Sequence, residues 1–563
     1  MRRSRGFLLV LFTILISGAL IVRGQNVSPL VFLNVGLPAV NEDTIPDETH
    51  RPQSPEAIRR AGIHAANDLV RVGRTGRAFS AGRVIVKFSD AMNDAARDTA
   101  VKSVVANGVR QPRAASADFD VVTMDPAQDG EAIAAAFRAR SDVEYAQASY
   151  RVHSTLVPND PHYADLQWNL PVLNLESAWD IQPQAGSAIT VAVVDTGMAF
   201  QTGTLEVNIG AFVDETGASH PPLGHQLIPY AAAEQLVGAG HANRIVAPHD
   251  FVWNNGGPPL DFDGHGTHVS GTIGQLTNDG IGTAGVAFNV KLMPVKVLAS
   301  DWDVAFGGAP FVGGTDEQVA LGVRYAADNG ANVINMSLGS SGPPNCGTKP
   351  NQDGCSPAVE SAIRYAVGKG CFIVIAGGNE AEVNDPDFGL NPTSVLAEIA
   401  SRVSGAVSVA AVDRNIVGQT GTRRCTGEAS LPDCHAYYSS FGPYIELSAP
   451  GGSERIFGRN GYIWQQTFDF TYTDTFLPSI TPTYGPPRFD VLAYVGYIGT
   501  SMATPHVSGI AAMLMQQGIK DPAAIEGALE KFAIDLGPAG RDDKYGFGLV
   551  DARAVLRGLG LAR

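Results

Sequence analysis

Three short segments, far apart in the chain, carry residues that could together perform nucleophilic catalysis. An apolar run ends at Asp195, His265 lies among glycines, and Ser501 follows a Gly-Thr pair. A serine hydroxyl becomes a nucleophile when an imidazole removes its proton and a carboxylate orients the imidazole. The three residue types therefore predict acyl transfer by a serine, provided that the fold brings them together.

The first segment, Val193-Val-Asp195-Thr-Gly197, also matches the active-site triplet of aspartic peptidases. Those enzymes need two carboxylates that share a proton, and the chain contains no second Asp-Thr-Gly or Asp-Ser-Gly. A homodimer could supply the second triplet, but this chain is far longer than the small dimeric enzymes. We therefore favour the serine mechanism.

The second segment holds two histidines, His265 and His268. Zinc binding is not indicated, because the segment lacks the Glu-containing helical pattern of zinc peptidases and no carboxylate ligand follows it. His265 lies at the predicted start of an apolar helix, whereas His268 lies one turn inside that helix. A general base must be within reach of the substrate, so we predict that His265 is the base.

The third segment, Gly499-Thr-Ser501-Met-Ala503, predicts a serine at the start of a helix after a tight turn. Unpaired backbone N–H groups at a helix N-terminus lie beside such a hydroxyl. Gly-Thr-Ser also forms ordinary helix caps, so the segment does not decide the function alone. Ala503 excludes the Gly-x-Ser-x-Gly elbow of α/β-hydrolases.

The elements that would position these residues alternate between apolar strands and helices from residue 188 onward. We predict strands at 189–194, 291–298, 333–338, 372–376 and 407–412, and helices at 316–329 and 356–369. The alternation predicts an α/β fold with a doubly wound, mostly parallel sheet and functional residues at the carboxyl ends of its strands. Two segments, near 203–247 and 455–494, interrupt the alternation, and we interpret them as loop insertions.

The region before the catalytic segments divides into three further parts. Basic residues and an uncharged apolar run at 7–22 predict a signal peptide over 1–24, with an uncleaved signal anchor as the alternative. Residues 25–80 lack periodicity and predict a leader and linker. Residues 81–155 predict a small α+β domain with strands at 83–88, 119–124 and 143–152 and helices at 92–107 and 129–140. The remaining residues, 156–563, would form the main domain.

Composition limits the classes of function. The 563 residues carry a net charge of −16 and include 44% hydrophobic and 17% charged residues, which suffices for a large core. Nothing resembles a basic stripe, so nucleic acid is not expected as a partner. After the N-terminal run, no stretch approaches the length of a membrane span, so stable membrane insertion is not expected.

Five cysteines suit an oxidising compartment. Cys346 and Cys355 flank one polar loop, and Cys425 and Cys434 flank another; both spacings allow short surface disulfides, and the pairing stays open. Cys371 lies in an apolar run and is predicted to be a buried free thiol. The spacings do not match a zinc site.

Together, the three segments resemble the subtilase family of serine peptidases, whose catalytic residues follow the same order, Asp, His and Ser. The resemblance covers residues 158–556 and includes the closing motif Tyr545-Gly-Phe-Gly-Leu-Val-Asp551. It implies an endopeptidase that hydrolyses peptide bonds of proteins through an acyl-enzyme.

The resemblance also implies an oxyanion site and a substrate site. Asn379 matches the family's side-chain donor to the oxyanion, and the backbone N–H of Ser501 would be the second donor. An extended peptide would pair with two segments, formed by Ser337, Leu338 and Gly339 and by Ala376, Gly377 and Gly378. Acidic residues near the expected S1 region would favour basic P1 side chains if they lined it, but solvated loop charges are the simpler interpretation; they are Glu380, Glu382, Asp385 and Asp387.

A structural calcium ion is implied by residues 276–283, which resemble the family's calcium loop. The expected ligands are the carbonyl oxygens of Leu276, Ile281 and Thr283 and the side chains of Asp279 and Asp160. The carboxylate that subtilases usually carry shortly after the catalytic Asp is missing, so the ligand set is incomplete. No catalytic metal is expected.

Residues 81–155 resemble subtilase propeptides, which assist folding and then act as intramolecular inhibitors. A large parallel sheet folds slowly, which gives a physical reason for such help. We expect self-cleavage between Arg151 and Pro158 and a secreted enzyme, with periplasmic or signal-anchored forms as alternatives. Two other functions stay open: an inactive peptide-binding homologue and a narrow-specificity processing protease.

Overall fold

The computed structural model describes most of the chain beyond residue 77 and two short strands before it. The described residues are 32–33, 70–72, 78–111, 113, 117–150, 156–214, 216–238, 242–342, 346, 352–381, 393–417, 434–476 and 484–558. They form two compact units, a smaller one of residues 70–150 and a larger one of residues 32–33 and 156–558. The predicted signal peptide and most of the predicted linker lie outside the described residues. Within those ranges, every helix is too short or too polar to cross a membrane.

The strands and helices are numbered here in chain order. The strands are β1 (Phe32–Leu33), β2 (Val70–Val72), β3 (Ala78–Phe88), β4 (Val109–Arg110), β5 (Asp120–Thr123), β6 (Val143–Tyr150), β7 (Thr190–Asp195), β8 (Gly203–Ile209), β9 (Phe212–Val213), β10 (Ser219–His220), β11 (Gly224–Tyr230), β12 (His249–Asp250), β13 (Lys291–Lys296), β14 (Val333–Met336), β15 (Ser341–Gly342), β16 (Phe372–Ala376), β17 (Thr393–Ser394), β18 (Ala406–Val412), β19 (Leu447–Pro450), β20 (Ile463–Phe468) and β21 (Leu492–Tyr497). The helices are α1 (Asp94–Val104), α2 (Gly130–Arg138), α3 (Tyr163–Leu166), α4 (Asn169–Val172), α5 (Leu175–Ile181), α6 (Glu234–Val237), α7 (His265–Gly274), α8 (Asp301–Ala305), α9 (Asp316–Asp328), α10 (Pro357–Gly368), α11 (Val395–Ala400), α12 (Glu454–Phe457), α13 (Phe470–Thr473), α14 (Thr500–Gln516), α15 (Pro522–Lys531) and α16 (Ala552–Gly558).

The smaller unit is an antiparallel sheet covered by two helices. Its long strand β3 pairs with β2, β5 and β6, and β4 pairs with β5. Val84 and Val86 of β3 share one core with Val101 of α1 and Phe137 of α2. The predicted strands and helices are present. The small sheet begins earlier than predicted, because β2 and the start of β3 fall within the range 25–80 that we interpreted as leader and linker.

Parallel strands form the centre of the larger unit. Among the described residues this sheet has seven strands in the order β12-β13-β7-β14-β16-β18-β19, and each neighbouring pair is parallel. Val191 and Val193 of β7 face one core with helix α14, whereas Ala192 and Val194 face the other core with α9 and α10. Burial on both faces explains why these strands are continuous apolar runs. The predicted doubly wound, mostly parallel sheet is confirmed.

The interpretation of 203–247 and 455–494 as loops is wrong, because both segments contain paired strands. β8 pairs with β11 and with β1, and β20 pairs with β21, all antiparallel. In β8 buried Leu205, Val207 and Ile209 alternate with Glu206 and Asn208, so the strand is not a continuous apolar run of the kind that identified the central sheet. The alternation itself was a signal that could have found it. In β20 the polar side chain of Gln465 is fully buried, which the search for apolar runs could not detect.

The described cysteines agree with the predicted redox states. Cys346 and Cys355 form a disulfide, and Cys434 is also disulfide-bonded. Cys425 lies outside the described residues. Cys371 is a buried free thiol, and burial raises its pKa to about 11, so the reactive thiolate is suppressed at neutral pH.

Candidate active site

Asp195 ends β7 at the carboxyl edge of the parallel sheet. The side chain is fully buried, and its Oδ1 lies 2.7 Å from Nδ1 of His265 and accepts the backbone N–H of Thr196 at 2.7 Å. Lys296, paired with Asp195 on β13, donates from Nζ to the carbonyl oxygen of Thr196 at 2.6 Å. These contacts fix the carboxylate against the imidazole.

His265 is the first residue of α7, as predicted. Gly264 precedes the helix with a φ of 108°, a conformation that favours glycine. A Cβ at Gly266 would collide with the carbonyl oxygen of Gly197 just beyond β7. The start of the helix can therefore approach the end of the Asp195 strand only because glycine occupies position 266.

The carboxylate of Asp261 joins the Asp and His segments. Its Oδ1 accepts the Thr196 hydroxyl at 3.0 Å and the backbone N–H groups of Asp263 at 3.0 Å and Gly264 at 2.9 Å. Its Oδ2 accepts the backbone N–H and the hydroxyl of Thr267 at 2.9 and 2.6 Å. Asp261 therefore acts as a buried cap for the His265 helix. Sequence reasoning missed this role, although an Asp shortly before a predicted helix is a recognisable capping signal.

Carboxylates raise the pKa of His265. Burial alone lowers this pKa, but the charge and hydrogen bond of Asp195, followed by the charges of Asp263 and Asp261, raise it to about 9. Burial and the neighbouring Asp261 raise the pKa of Asp263 to about 6. The imidazole can take a proton only when it is neutral, so this environment favours its action as a base at alkaline pH.

The second histidine of the segment lies inside the protein. Burial lowers the pKa of His268 to about 3, and its Nε2 lies 3.1 and 3.2 Å from the carbonyl oxygens of Ile463 and Val495. In contrast, the side chain of His265 is 15% exposed. Only His265 of this pair is within reach of a substrate.

Ser501 is the second residue of α14. Its Oγ donates to the carbonyl oxygen of Ser337 at 3.1 Å, and Oγ of Ser337 donates to the carbonyl oxygen of Ser501 at 2.8 Å. Ser337 follows β14, which lies next to β7 with Asn335 paired to Val193. Ser337 and Asp195 each lie two residues beyond that pair on their own strands, so both are at the same edge of the sheet. Ser501 is thereby held at the edge where Asp195 contacts the imidazole.

Asn379 lies just beyond β16 and contacts Thr500, the residue before Ser501. Its Oδ1 accepts the backbone N–H and the hydroxyl of Thr500 at 2.8 and 2.9 Å. Its Nδ2 lies near Gly499, where a Cβ would come within 3.5 Å of it. Thr500 therefore orients the amide so that Nδ2 is the available donor, a role that the sequence motif did not reveal.

The residues predicted to bind substrate follow two neighbouring strands. Ser337, Leu338 and Gly339 follow β14, Ala376 ends β16, and Gly377 and Gly378 come next. Ser394 lies between the segments, since a Cβ on Gly339 would come 3.6 Å from its Oγ and a Cβ on Gly378 would come 3.1 Å from its Cβ. Glu380 accepts the hydroxyl of Ser440 at 2.9 Å. Glu382, Asp385 and Asp387 lie outside the described residues.

Two of the predicted calcium ligands, Asp160 and Asp279, lie together at one loop. Asp160 is buried, and its two carboxylate oxygens accept the backbone N–H groups of Asn278 at 2.7 Å and of Asp279 at 3.4 Å. Asp279 in turn accepts the backbone N–H of Ile281 at 2.9 Å. Burial raises the pKa of Asp160, with a further contribution from the Asp279 carboxylate. The Asp160 carboxylate is thus hydrogen-bonded to the loop that contains Leu276, Asp279, Ile281 and Thr283.

Comparisons with known proteins point to one family. The pattern of the subtilase family matches residues 186–548, and that of the fervidolysin N-terminal prodomain matches residues 65–149. The chain is 27% identical to the thermophilic serine proteinase of Bacillus sp. (strain AK1), over 87% of this chain and 92% of that protein. It is 30% identical to an extracellular protease of Xanthomonas campestris pv. campestris, over 83% and 69% of the two chains. It is 28% identical to thermitase of Thermoactinomyces vulgaris, over 67% and 91%. The chain belongs to the subtilase family and is a subtilisin-like serine endopeptidase with an N-terminal prodomain.

Proposed function

We propose that Asp195, His265 and Ser501 form the catalytic triad of this endopeptidase. The observation that supports the assignment best is the 2.7 Å contact between Asp195 Oδ1 and His265 Nδ1, at the sheet edge to which Ser337 binds the Ser501 hydroxyl. A carboxylate at Nδ1 leaves Nε2 as the atom that can accept a proton.

In the proposed mechanism, Ser501 Oγ attacks the scissile carbonyl carbon while Nε2 of His265 takes the hydroxyl proton. The resting hydrogen bond from Ser501 to the Ser337 carbonyl is lost at this step. Asp195 stabilises the imidazolium, which then protonates the leaving amine as the C–N bond breaks. Water, deprotonated by the same imidazole, hydrolyses the acyl-enzyme and restores the serine.

The negative oxygen of the tetrahedral intermediate needs donors already in position. We assign this role to Nδ2 of Asn379 and to the backbone N–H of Ser501. The assignment is supported by the two hydrogen bonds from Thr500 that occupy Oδ1 of Asn379. In such sites the loss of one donor costs about 3 kcal/mol of transition-state stabilisation.

The substrate is proposed to be an extended polypeptide that pairs with the segments after β14 and β16. Recognition through backbone hydrogen bonds predicts broad sequence specificity. Glu380 lies near Ser440 and beside Gly378 of the proposed substrate segment. A subsidiary proposal is that its negative charge favours basic P1 side chains.

A structural calcium ion is proposed at the loop 276–283. The residues fit a hard cation, because Asp160 and Asp279 bring carboxylates together and the loop adds backbone carbonyl oxygens. When bound, the ion would neutralise these carboxylates and stabilise the loop that follows the His265 helix. The chemistry at Ser501 does not involve it.

We further propose that the enzyme is exported and cleaves itself between Arg151 and Pro158, releasing the prodomain. The apolar run at 7–22 and the extracellular relatives support export. Residues 151–155 lie outside the described residues, so this junction stays a sequence-based prediction.

Denaturing mass spectrometry of the purified full-length chain tests the proposal. Wild type should yield a mature fragment that begins between residues 151 and 158, whereas Ser501→Ala should stay uncleaved. Ser401→Ala, at an exposed serine, is the matched control and should process normally. Asn379→Ala should process but lose about 100- to 1000-fold in kcat on a peptide substrate. Normal self-processing of Ser501→Ala would refute the assignment.

A further inference from the structure

The inserted segment 203–247 places a buried side-chain oxygen without a hydrogen-bond partner beside the calcium loop. Gln235 lies in α6 and is 3% exposed. Its Nε2 donates to Oδ2 of Asp279 at 3.2 Å, while its Oε1 has no partner among the described residues. A buried amide oxygen without a partner is unfavourable, so this arrangement points to a ligand.

Backbone contacts fix Gln235 at this position. Its carbonyl oxygen accepts the N–H of Leu276, the first residue of the loop, at 2.9 Å. Its own N–H donates to Oε1 of Gln466 in β20 at 3.2 Å. These backbone contacts hold the residue beside the loop in either orientation of its amide group.

The surrounding groups favour a divalent cation over other ligands. Asp160 is 3% exposed, and its carboxylate lies beside Asp279, whose backbone N–H it accepts at 3.4 Å, so the two carboxylates share the loop. A cation would remove the repulsion between these carboxylates. Carboxylate and amide oxygens are the ligands that Ca²⁺ prefers, at 2.3–2.6 Å.

We propose that Gln235 is a calcium ligand that replaces the carboxylate missing after Asp195. A half-turn of its amide would bring Oε1 to the present position of Nε2, 3.2 Å from Oδ2 of Asp279. Two oxygens at that separation can both lie at bonding distance from one Ca²⁺. This inference rests on the calcium site proposed above and adds a ligand that the sequence motif did not supply.

Calcium binding by Gln235 would also give both insertions a structural role. The first carries Gln235, and the second contacts Gln235 through Gln466 and the loop through Gln465, whose Oε1 accepts the hydroxyl of Thr283 at 3.0 Å. Calcium bound through Gln235 would therefore join the two insertions to the loop that follows the His265 helix. A neutral amide in place of a carboxylate also lowers the negative charge of the site, which predicts weaker calcium binding than a carboxylate would give.

Calcium titration of the full-length Ser501→Ala chain tests the inference without self-digestion and without any activity assay. After treatment with EDTA, CaCl₂ binding is measured by isothermal titration calorimetry, and thermal unfolding is followed with and without Ca²⁺. In this background Gln235→Met should weaken Ca²⁺ affinity about tenfold or more. Gln235→Glu should strengthen it, and Gln226→Met, a control in β11 of the same insertion, should leave it unchanged.

The outcomes separate the inference from the proposals on which it rests. If the Ser501→Ala chain binds Ca²⁺ but neither Gln235 variant changes the affinity, Gln235 is not a ligand and the inference is overturned. If the chain binds no Ca²⁺ at all, the calcium site itself is overturned, and the inference with it. Should Gln235→Met fail to fold, Gln235→Glu decides alone, since unchanged affinity in that variant also overturns the inference. None of these results bears on the triad, which the processing experiment tests.

Discussion

The carboxylates around His265 decide at which pH its imidazole can act as a base. Asp195 contacts the ring directly, whereas Asp263 and Asp261 act on it through their charges. A raised pKa means that the ring stays protonated to higher pH, so the base form is lost as pH falls through that value. The enzyme should therefore be an alkaline peptidase.

Substitution of a single carboxylate tests this account. Asp263→Asn removes a charge that raises the pKa of His265, while the amide oxygen can still accept the backbone N–H that Asp263 accepts at 3.0 Å. The pH profile of kcat/KM should show an apparent pKa above the ordinary 6.5 in wild type and a lower one in Asp263→Asn. Asp165→Asn, at an exposed carboxylate, is the control and should match wild type. An unchanged or raised apparent pKa in Asp263→Asn would contradict the account.

Sequence reasoning found the residues that short motifs carry and missed those defined by distant contacts. Asp195, His265, Ser501 and Asn379 each lie in a recognisable string of residues. The contact of Thr500 with Asn379 could not be predicted from the motif, because it joins positions 121 residues apart. Likewise, no local pattern predicts that Lys296 reaches across 100 residues to the carbonyl oxygen of Thr196.

The position of the His265 helix depends on contacts at both of its ends. Asp261 binds the start of α7, and a buried guanidinium, Arg244, binds its end. Arg244 donates to the carbonyl oxygens of Gly274, Val290 and Leu236, the last two at 3.2 and 3.3 Å. Burial lowers the pKa of Arg244 to about 10, so it remains charged at neutral pH. A positive charge at a helix C-terminus is favourable.

Removal of this guanidinium should destabilise the larger unit. Arg244→Met leaves buried carbonyl oxygens without donors, which should lower the free energy of unfolding by about 2–4 kcal/mol. The measurement is the guanidinium chloride unfolding midpoint, in the Ser501→Ala background to prevent autolysis. Arg364→Met is the control, because the Arg364 side chain is 51% exposed and its ion pair with Glu360 should contribute less than about 1 kcal/mol. Equal midpoints for the two variants would contradict the claim that Arg244 stabilises the larger unit.

In the larger unit, the strands that sequence patterns predicted are buried on both faces of the sheet. Strands such as β7 and β16 are apolar throughout and could be found from the sequence alone. The hairpin β20–β21 could not, because its buried Gln465 is stabilised by hydrogen bonds to Thr283 and Ala284 rather than by apolar contacts. Polar burial of this kind depends on the tertiary structure.

The division of the chain into two compact units agrees with an enzyme made together with its prodomain. The small unit has its own core, which includes Val84 and Phe137, and the large unit carries every proposed catalytic residue. The α/β class of the large unit and the α+β class of the small one were both predicted from strand and helix alternation. The extent of the small sheet was not, because the short strand β2 has no periodic pattern to identify it.

Hydrolysis by this enzyme depends on one proposed nucleophile, Ser501, and covalent labelling tests that nucleophile most directly. A fluorophosphonate should modify the calcium-saturated wild-type enzyme once per molecule, and peptide mapping should find the adduct on Ser501. Ser501→Ala should not react, and His265→Ala should react far more slowly, because its serine keeps its proton. A folded wild-type protein that is not labelled, or a Ser501→Ala protein that is labelled as fast as wild type, would contradict the claim that Ser501 is the activated serine.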